Sequence, residues 1–496
     1  MRKTTSRYVD EFMNVHIRDT VVGQGGQGIV FRTKDPDLAV KLITDESGNP
    51  VTDSGSIEKY SRRLSSVRLL PLPDNINISV PAAVLRDQSG YVMQLLSEMK
   101  PLSSLMYEGK QLTENRPSDI PKWLDMLAEN EARKIMHYCD TGGLRRRLEV
   151  LSKCSAILAR LHGRGLVYGD LSPGNIFVSE DVRHSFVWLI DADNIRFEVE
   201  LDGSAMYTPR YGAPEIVQGV DCGRSSSDCY SFAIVAFYLI SLVHPFCGRL
   251  LDEEDELDWA EDGREQDIEE KAFSGLLPWI DDIEDDSNYS NKGLPRELVL
   301  SEELKAIFQK TFSQGRTSPS LRPRMFHWPE LLARATDATI KCPSCKMSYY
   351  SKETTKDNFT ECPYCGTPKP ATILLKSFIW HGETVKLNEA CWVFEREFEN
   401  SRTIGLPNRV FDKFKTSGSD ISDIEFTITK EDVLLSKTEE SKLELSIAKT
   451  GIARGSFTKI TSKTRLLHSQ SRLEFWLLVN SDIPRIIHCT IGKHLS

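Results

Sequence analysis

The stretch from Leu166 to Asn194 constrains this chain more than any other part of its sequence. Short apolar segments alternate there with two polar turns, Tyr-Gly-Asp-Leu-Ser-Pro-Gly-Asn and Asp-Ala-Asp-Asn. We interpret the apolar segments as strands. The turns carry Asp170, Asn175 and Asp191, so two carboxylates and one amide lie between hydrophobic segments, where binding and catalytic residues are often found.

Length, charge and cysteine content set the broad class. A chain of 496 residues predicts roughly three domains. Its formal charge of -10 argues against a surface that coats nucleic acid. Residues 1–19 are mixed in charge and resemble neither a secretory signal nor an anchor. No apolar run reaches the roughly 20 residues of a spanning helix, and four of the eleven cysteines form two close pairs. These features predict a cytoplasmic protein without a membrane partner.

A glycine cluster near the N-terminus lies between two apolar segments. Gly23, Gly25, Gly26 and Gly28 predict a strand, a turn and a strand. Glycines allow backbone amides to approach phosphate oxygens closely, although an ordinary hairpin turn has the same composition. The apolar strand that follows contains Lys41, and this lysine is either a phosphate ligand or an edge-strand charge.

Three further segments have clear periodicity or motif character. Apolar residues at helical spacing predict a helix over 144–162, which ends at a glycine. Downstream, Tyr207 to Glu215 matches the pattern G-T-P-x-Y-x-A-P-E, and Ser227 to Phe232 matches S-D-V-W-S-F. Arg322-Pro323 comes shortly before a leucine-containing segment, Trp328 to Leu332.

These motifs, taken in order, resemble those of a eukaryotic-type Ser/Thr protein kinase domain from about Thr20 to Leu332. The resemblance implies an α+β, bilobal fold. It predicts a kinase domain over 1–338, with an N-lobe at about 20–96 and a C-lobe at about 97–338. It also implies ATP and Mg²⁺ as cofactors and a protein as the substrate.

The resemblance assigns roles to individual residues. Asp170 would be the base that accepts the proton of the attacking hydroxyl, and Asn175 and Asp191 would ligate magnesium. Lys41 would hold the α and β phosphates and be oriented by Glu58. The residues assigned to nucleotide binding are Gly23, Gly25, Gly26, Gly28, Lys41, Glu58, Met93 and Leu95.

The resemblance also implies three supporting contacts. Thr208 would contact the catalytic aspartate, which favours serine or threonine acceptors. Asp228 would anchor the backbone of the catalytic loop. Glu215 and Arg322 would form a buried ion pair.

Departures from the family pattern cluster in the opening stretch. Tyr168-Gly169 replaces His-Arg, and Asp191-Ala192-Asp193 replaces D-F-G. The arginine normally pairs with a phosphorylated activation loop, so its absence predicts activity that does not require loop phosphorylation. Ser172 replaces a lysine that helps to neutralise the γ phosphate, and Arg210 or another cation would have to compensate, or turnover would be slow.

Two cysteine pairs follow the kinase-like region. Cys342, Cys345, Cys362 and Cys365 have C-x₂-C spacing on either side of 16 residues. This pattern predicts a zinc ribbon over 339–370, and four thiolates leave no open position, so the metal would be structural. We favour a stabilising or protein-binding ribbon over a nucleic-acid contact.

The last part of the chain, 371–496, consists of short alternating apolar runs separated by polar turns. It predicts a small all-β interaction domain, either a sandwich or a barrel. Residues 401–406 loosely resemble a strand of forkhead-associated phosphothreonine-binding modules, but the match is short and a generic interaction domain is favoured.

The leading functional hypothesis is an atypical Ser/Thr kinase. The alternatives are a nucleotide-binding pseudokinase scaffold, a nucleotidyl transferase on the same fold, and nucleic-acid binding through the ribbon. The order of kinase domain, ribbon and β tail resembles bacterial kinases of tellurite and stress-response gene clusters. That resemblance implies a von Willebrand A-type protein and a metal-dependent protein phosphatase as partners.

Overall fold

A computed structural model describes most of the chain. The described residues are 6–25, 28–45, 47–107, 120–199, 206–256, 264–350, 360–382, 385–386, 389–398, 402–412, 422–429, 432–449, 456–467, 472–480 and 483–492. Of the predicted glycine cluster, Gly26 lies outside these ranges. None of the described helices is both long enough and apolar enough to span a bilayer.

The N-terminal part folds into a six-stranded antiparallel sheet with the order β1-β2-β3-β4-β6-β5. Its strands are β1 (Arg7–Val9), β2 (Val15–Gly25), β3 (Gly28–Thr33), β4 (Leu38–Leu42), β5 (Ala83–Val84) and β6 (Gly90–Gln94). One helix, α1 (Ser54–Arg68), packs against β5 and β6. It begins after Asp53, whose carboxylate accepts the backbone N–H of Ser56 at 2.8 Å and so caps the helix.

The next part is largely helical. Its helices are α2 (Glu129–Asp140), α3 (Gly143–His162), α4 (Pro214–Val217), α5 (Ser225–Ser241), α6 (Arg249–Glu256), α7 (Arg264–Phe273), α8 (Arg296–Val299), α9 (Glu302–Phe312), α10 (Gln314–Thr317) and α11 (Trp328–Asp337). The short strands among them are β7 (Met99–Pro101), β8 (Leu166–Val167), β9 (Ile176–Ser179), β10 (Val187–Leu189) and β11 (Arg196–Phe197). The predicted helix over 144–162 is α3, and Gly163 forms its C-cap.

Helix α5 is the centre of this lobe. All but three of its residues are buried, which is expected for a helix that is apolar on every side. Helix α3 contacts α5 on one side and α11 on the other. The first polar turn of the opening stretch lies between β8 and β9, and the second lies between β10 and β11.

The cysteine-containing segment adds two strands, β12 (Thr339–Lys341) and β13 (Ser348–Tyr350). Its residues Met347, Tyr349 and Tyr350 lie in the same continuous hydrophobic core as α3 and α5. Tyr350 is fully enclosed and its hydroxyl donates to the carbonyl of Val299 at 3.2 Å. The ribbon is therefore packed into the helical lobe rather than tethered beside it.

The remaining strands form a β-sandwich. One sheet has six strands in the order β15-β14-β23-β22-β19-β20, and the other has four in the order β16-β17-β18-β21. Their bounds are β14 (Thr372–Ile379), β15 (Trp392–Glu397), β16 (Arg402–Leu406), β17 (Ile424–Ile428), β18 (Asp432–Lys437), β19 (Glu444–Ala448), β20 (Thr458–Ile460), β21 (Lys463–Leu467), β22 (Arg472–Asn480) and β23 (Arg485–Gly492). Alternate residues of both sheets build one shared core, so the sandwich alternative is confirmed over the barrel.

Two carboxylates, one fully and one mostly buried, join the sandwich to the helical lobe. Asp337, at the end of α11, accepts hydrogen bonds from Trp392, Arg396 and Arg409 at 2.7–3.0 Å. We call these four residues the Asp337 cluster. Burial alone would raise the pKa of Asp337, but the two guanidinium groups outweigh it and hold that pKa below its ordinary value.

The second carboxylate is Glu397 on β15. Both of its oxygens accept from the guanidinium of Arg145 on α3, at 2.9 and 2.7 Å, and the backbone N–H of Lys341 adds a third hydrogen bond. Burial opposes ionisation, but Arg145 dominates and lowers the pKa of Glu397 from 4.5 to about 2. The ionised carboxylate is therefore strongly preferred in the folded state.

The pH dependence of this contact gives a testable prediction. Because the folded-state pKa is depressed, the stabilisation is complete above about pH 4.5 and is lost as the pH falls through 2. Glu397→Gln should lower the free energy of unfolding by about 3 kcal/mol at pH 7, and the difference from wild type should shrink steadily below pH 4.5. Urea unfolding at pH 7, 5, 4 and 3 measures it.

The matched control is Glu444→Gln, because Glu444 pairs with Lys459 where both side chains are more than half exposed. Such a surface pair contributes little, so the control should unfold like wild type at each pH. Equal destabilisation by Glu397→Gln at pH 7 and pH 3 would contradict this account.

Candidate functional site

The first polar turn is held by Asp228 at the start of α5. Its two carboxylate oxygens accept the consecutive backbone N–H groups of Tyr168 and Gly169, at 2.7 and 2.9 Å. The ring of His162, at the end of α3, lies 2.9 Å from the same carboxylate. Asp228 is 2 % exposed, so these contacts replace its lost hydration. The predicted anchoring of the turn by Asp228 is confirmed.

The substitutions at 168 and 169 have a local structural reason. Gly169 has φ +91°, in the region that glycine adopts without strain, and a Cβ there would lie 3.3 Å from the carbonyl oxygen of Asn194. Tyr168 is fully buried, and its hydroxyl donates to the carbonyl of Ile190, directly before the second turn. The tyrosine thus connects the two polar turns through the core.

Asp170 is 3 % exposed, and its charge acts on the ammonium of Lys41 from the sheet. We call the region around these two side chains, between the sheet and the helical lobe, the cleft. Thr208 donates its hydroxyl proton to Asp170 Oδ1 at 2.8 Å, which confirms the predicted contact. Asn175 donates its side-chain N–H to the Asp170 carbonyl at 2.9 Å. This donation orients the Asn175 amide, so its carbonyl oxygen remains available as a ligand for a hard cation.

Lys41 reaches the same cleft from β4. Its ammonium lies 2.8 Å from Asp191 Oδ1 and 3.9 Å from Asp193 Oδ2. Burial would lower the pKa of Lys41, but the two carboxylates raise it above its ordinary value. Burial in turn raises the pKa of Asp193, against the opposing charge of Lys41. The site therefore holds one buried cation between two carboxylates of the second turn.

The expected orientation of Lys41 by Glu58 is not seen. The side chain of Glu58 is 66 % exposed and pairs with Arg62 one helical turn away. The inward face of α1 is marked by Leu64 and Val67, and at about 100° per residue Glu58 points roughly 150° away from that face. Glu58 is kept away from Lys41 because its side chain points to the wrong side of α1, although the helix itself packs against the sheet.

The side chain of α1 that does reach the site is Arg63. It donates to the Asp193 carbonyl at 2.8 Å and also to the side chain of Asn194. Sequence reasoning did not find Arg63 or Asp193 as site residues. One feature of the sequence marks Asp193, a carboxylate where the family pattern has glycine. No feature marks Arg63, which is one of four basic residues in a polar helix.

Three of the predicted nucleotide-binding glycines, Gly23, Gly25 and Gly28, lie in the two strands of the hairpin formed by β2 and β3. Gly23 lies within β2, Gly25 ends it, and Gly28 begins β3. A Cβ at Gly28 would come 2.2 Å from the Leu42 carbonyl oxygen, so a side chain there would displace β4 and with it Lys41. The hairpin and the lysine strand are thus in direct backbone contact.

Met93 and Leu95 lie at the end of β6. Met93 is 7 % exposed and packs with Leu64, Val84 and Tyr91, and Leu95 packs partly against the same group. The backbone N–H of Leu95 donates to the Asp37 carbonyl at 2.8 Å. Both residues therefore belong to the packing between the sheet and α1, at the point where the chain leaves β6.

The structure also shows what surrounds Ser172 and Arg210. Ser172 is buried, and its carbonyl accepts the backbone N–H of Asn175. Arg210 pairs with Glu269 on α7 and lies over the ring of Phe273. It is engaged away from Asp170, so in this conformation it does not take the place of the missing lysine.

Glu215 and Arg322 form the predicted buried ion pair. Two parallel hydrogen bonds of 2.7 Å join the guanidinium to the carboxylate. Burial would raise the pKa of Glu215, but Arg322 lowers it overall. Removing one partner of such a pair costs about 3–5 kcal/mol, which fits a role in holding the segment after Thr208 in place.

Four cysteine sulfurs come together in the ribbon. The Sγ atoms of Cys342, Cys345, Cys362 and Cys365 all lie within 4.8 Å of one another, with two pairs at 3.6 Å. A tetrahedral zinc with Zn–S bonds of ~2.3 Å separates its sulfurs by about 3.8 Å, so the four thiols fit Zn²⁺.

Both cysteine turns have the same backbone form. Lys346 and Gly366, each directly after the second cysteine of its pair, have φ +62° and +68°. Cys342 N–H donates to Met347 O, and Cys362 N–H donates to Thr367 O, at 2.8 and 2.7 Å. Two equivalent turns facing each other are what a closed four-thiolate site requires.

Comparisons with known proteins agree with this geometry. The sequence profile of the protein kinase domain matches residues 17–318. The chain is 33% identical over 237 residues to the serine/threonine-protein kinase PknA of Mycobacterium tuberculosis, covering 46% of this chain and 47% of that one. It is 33% identical over 113 residues to serine/threonine-protein kinase pkn2 of Myxococcus xanthus, covering 21% and 13%.

A human relative is more distant. Receptor-interacting serine/threonine-protein kinase 1 of Homo sapiens is 26% identical over 226 residues, covering 40% of this chain and 30% of that protein. The chain spans less than half the length of each of these three relatives.

Metal removal gives a testable prediction for the ribbon. Because the cysteines lie in the core that continues into α3 and α5, loss of a structural zinc should lower the thermal unfolding midpoint of the helical lobe. We expect about one zinc per chain in the purified protein, and a lower midpoint after chelation or in Cys345→Ser. Elemental analysis and thermal unfolding measure both.

The control is Cys391→Ser, since Cys391 lies in the sandwich and donates to the Ser377 carbonyl. This variant should retain zinc. A protein without zinc that unfolds at the same temperature before and after chelation would refute a structural metal.

Proposed function

The chain belongs to the protein kinase domain family, and on that premise we propose that it transfers the γ-phosphoryl group of ATP to a serine or threonine hydroxyl of a protein. The observation that carries this proposal is the position of Asp170, oriented by Thr208 at 2.8 Å and by Asn175, in the cleft that also receives Lys41. Phosphoryl transfer requires mainly positioning and charge neutralisation, and these side chains supply both.

Asp170 would act as the base. Its Oδ1 is held by Thr208, and its backbone carbonyl by Asn175. These contacts orient the carboxylate toward an incoming hydroxyl, which loses its proton to Asp170 as its oxygen attacks the γ phosphorus. The ADP oxygen leaves on the opposite side. The threonine contact supports serine or threonine as the acceptor.

Lys41 and the hairpin between β2 and β3 would bind the triphosphate. The buried ammonium of Lys41 carries three protons, and its closest described acceptor is Asp191 Oδ1 at 2.8 Å. Its protons can therefore be donated to phosphate oxygens. Met93 and Leu95 would border the adenine ring at the junction of the lobes.

The residues present fit Mg²⁺. Asp191 offers a carboxylate on the second turn, and Asn175 offers its side-chain carbonyl oxygen, so the donor set is hard oxygen. When bound, the metal would neutralise charge on the β and γ phosphates. Asp191 has φ +55°, an uncommon conformation for a non-glycine residue that turns its carboxylate into the cleft.

Regulation should differ from that of kinases with arginine before the catalytic aspartate. Gly169 has no side chain to pair with a phosphorylated loop, and the turn is held by Asp228 without one. Activity should therefore not depend on phosphorylation of the activation segment.

A nucleotide-binding scaffold without transfer is the second candidate. It is favoured by one observation: Arg210, the cation predicted to compensate for the lysine missing at Ser172, pairs with Glu269 instead. Nucleotidyl transfer would differ in that α-labelled ATP labels the protein. A von Willebrand A-type protein and a metal-dependent phosphatase stay predictions as partners, to be tested by co-purification with each.

The central prediction concerns Asp170. Asp170→Asn keeps the size and most contacts of the side chain but cannot accept the proton, so phosphate transfer from γ-labelled ATP should fall by about 10²–10⁴-fold. Nucleotide binding, measured as a shift of the unfolding midpoint with Mg²⁺ and ATP, should persist.

Asp181→Asn is the matched control, because Asp181 is a partly exposed aspartate of the same lobe that pairs with the exposed Arg183. It should transfer phosphate at the wild-type rate. Transfer that Asp170→Asn leaves unchanged would refute this mechanism, and nucleotide binding without transfer in wild type would favour the scaffold.

A further inference from the structure

We propose that Asp193, two residues after the predicted metal ligand, is the residue that positions Lys41 for phosphate binding, and that Arg63 fixes α1 to the turn that carries it. The proposal rests on the proposed nucleotide-binding role of the cleft. It assigns to the second turn a function that the sequence pattern assigned to a helix glutamate.

The first observation is that α1 places no carboxylate near Lys41. Glu58 is the only acidic residue between Ser54 and Arg68, and it is exposed and paired with Arg62. Among the described residues, the ion-pair partners of Lys41 are Asp191 and Asp193. A buried ammonium needs a nearby anion, so one of these two must supply it whenever no phosphate is bound.

The second observation concerns competition for Asp191. Lys41 now lies closest to Asp191, at 2.8 Å, yet Asp191 is the carboxylate on the turn that faces the predicted metal position. A carboxylate bound to a divalent cation is a weaker partner for an ammonium. Lys41 then keeps Asp193, whose Oδ2 is 3.9 Å away and whose side chain is 13% exposed. Asp193 thus allows Lys41 to leave Asp191 without becoming an unpaired buried charge.

The third observation is that the Asp193 carboxylate has room to respond. Its Oδ1 is buried and has no hydrogen-bond partner among the described residues, so a modest rotation can bring it to Lys41. The ring of Tyr91, whose centroid is 5.9 Å from Lys41 Nζ, closes the other side. The ammonium is confined between this ring and the second turn.

The fourth observation links α1 to this arrangement. Arg63 donates to the backbone carbonyl of Asp193 and to the side chain of Asn194. A shift of α1 would therefore move the turn that holds Asp193. Because Asp193 pairs with Lys41, the position of the helix would affect the position of Lys41 through Arg63. Arg62, its neighbour, faces outward and contacts Glu58.

A competing role for Asp193 is direct ligation of the metal. The two roles differ in their dependence on Lys41. If Asp193 acts through Lys41, its substitution adds nothing once Lys41 is gone, whereas a metal ligand would have an independent effect. A double-mutant cycle separates these cases.

The experiment measures the dissociation constant of Mg²⁺·ATP with a fluorescent ATP analogue for wild type, Asp193→Asn, Lys41→Met and the double variant. We expect Asp193→Asn to bind about tenfold more weakly, as is usual for loss of a residue that orients a ligand. The double variant should bind no more weakly than Lys41→Met alone. Glu58→Gln, whose side chain is outside the site, should bind like wild type.

Several outcomes would overturn the proposal. Additive losses in the double variant would make Asp193 a metal ligand, and unchanged or tighter binding by Asp193→Asn would remove its role altogether. A tenfold loss in Glu58→Gln would return the positioning function to α1. Because the readout is binding, a wild type that binds nucleotide but transfers no phosphate would refute the proposed function while leaving this test intact.

A second pair of variants covers the case in which Asp193→Asn fails to fold. Arg63→Ala removes a largely exposed side chain and should also weaken nucleotide binding, and only when Lys41 is present. Arg62→Ala is the matched control and should not. Equal binding by Arg63→Ala and Arg62→Ala would show that α1 is not linked to the site through Arg63. Unfolding midpoints without nucleotide confirm that each variant is folded.

Discussion

The carboxylate of Asp228 accepts two consecutive backbone amides, from Tyr168 and Gly169, and lies against the ring of His162. Two successive N–H groups converge on one carboxylate only if the backbone turns sharply, and Gly169 provides that turn at φ +91°. The direction of Asp170 follows from this geometry, since it is the next residue. The rest of the cleft is arranged around this buried acceptor, which is fixed by the most deeply buried helix of the lobe.

The second turn is connected to the first both by the antiparallel pairing of β9 and β10, in which Ile176 lies opposite Leu189, and by one side chain. Tyr168 donates to Ile190, and the Ile190 N–H donates to the Asn175 carbonyl at 3.0 Å. A tyrosine with a polar end can make this connection across the core, whereas the alanine at 192 occupies little volume. The departures at 168, 169 and 192 are thus mutually consistent features of one packed arrangement rather than independent losses.

The sequence predicted well those features that depend on local motifs. Lys41, Asp170, Asn175 and Asp191 sit on short turns and strands whose form is set by neighbouring residues, and the structure brings them into one cleft. The phase of α1 was not predictable in the same way. That helix is polar and has few apolar residues, so its periodicity does not reveal which face is buried, and the expectation for Glu58 came from the family pattern alone.

Most contacts between residues that are far apart in the sequence could not be predicted from the sequence either. The members of the Asp337 cluster are 55 to 72 residues from the aspartate, and neither arginine has a distinctive sequence context. The Glu215–Arg322 pair, 107 residues apart, was found because both residues belong to recognisable motifs. The choice between sandwich and barrel depended on strand order, which alternation of polar and apolar residues does not encode.

The attachment of the sandwich has a consequence for how a bound protein would meet the cleft. A module on a flexible linker raises the local concentration of its ligand over a wide range of distances. The sandwich is instead held to the helical lobe by Asp337 and by the Arg145–Glu397 pair. If it binds a protein partner, as the sequence predicts, this attachment would favour partners whose acceptor hydroxyl lies at one fixed distance from the docking point.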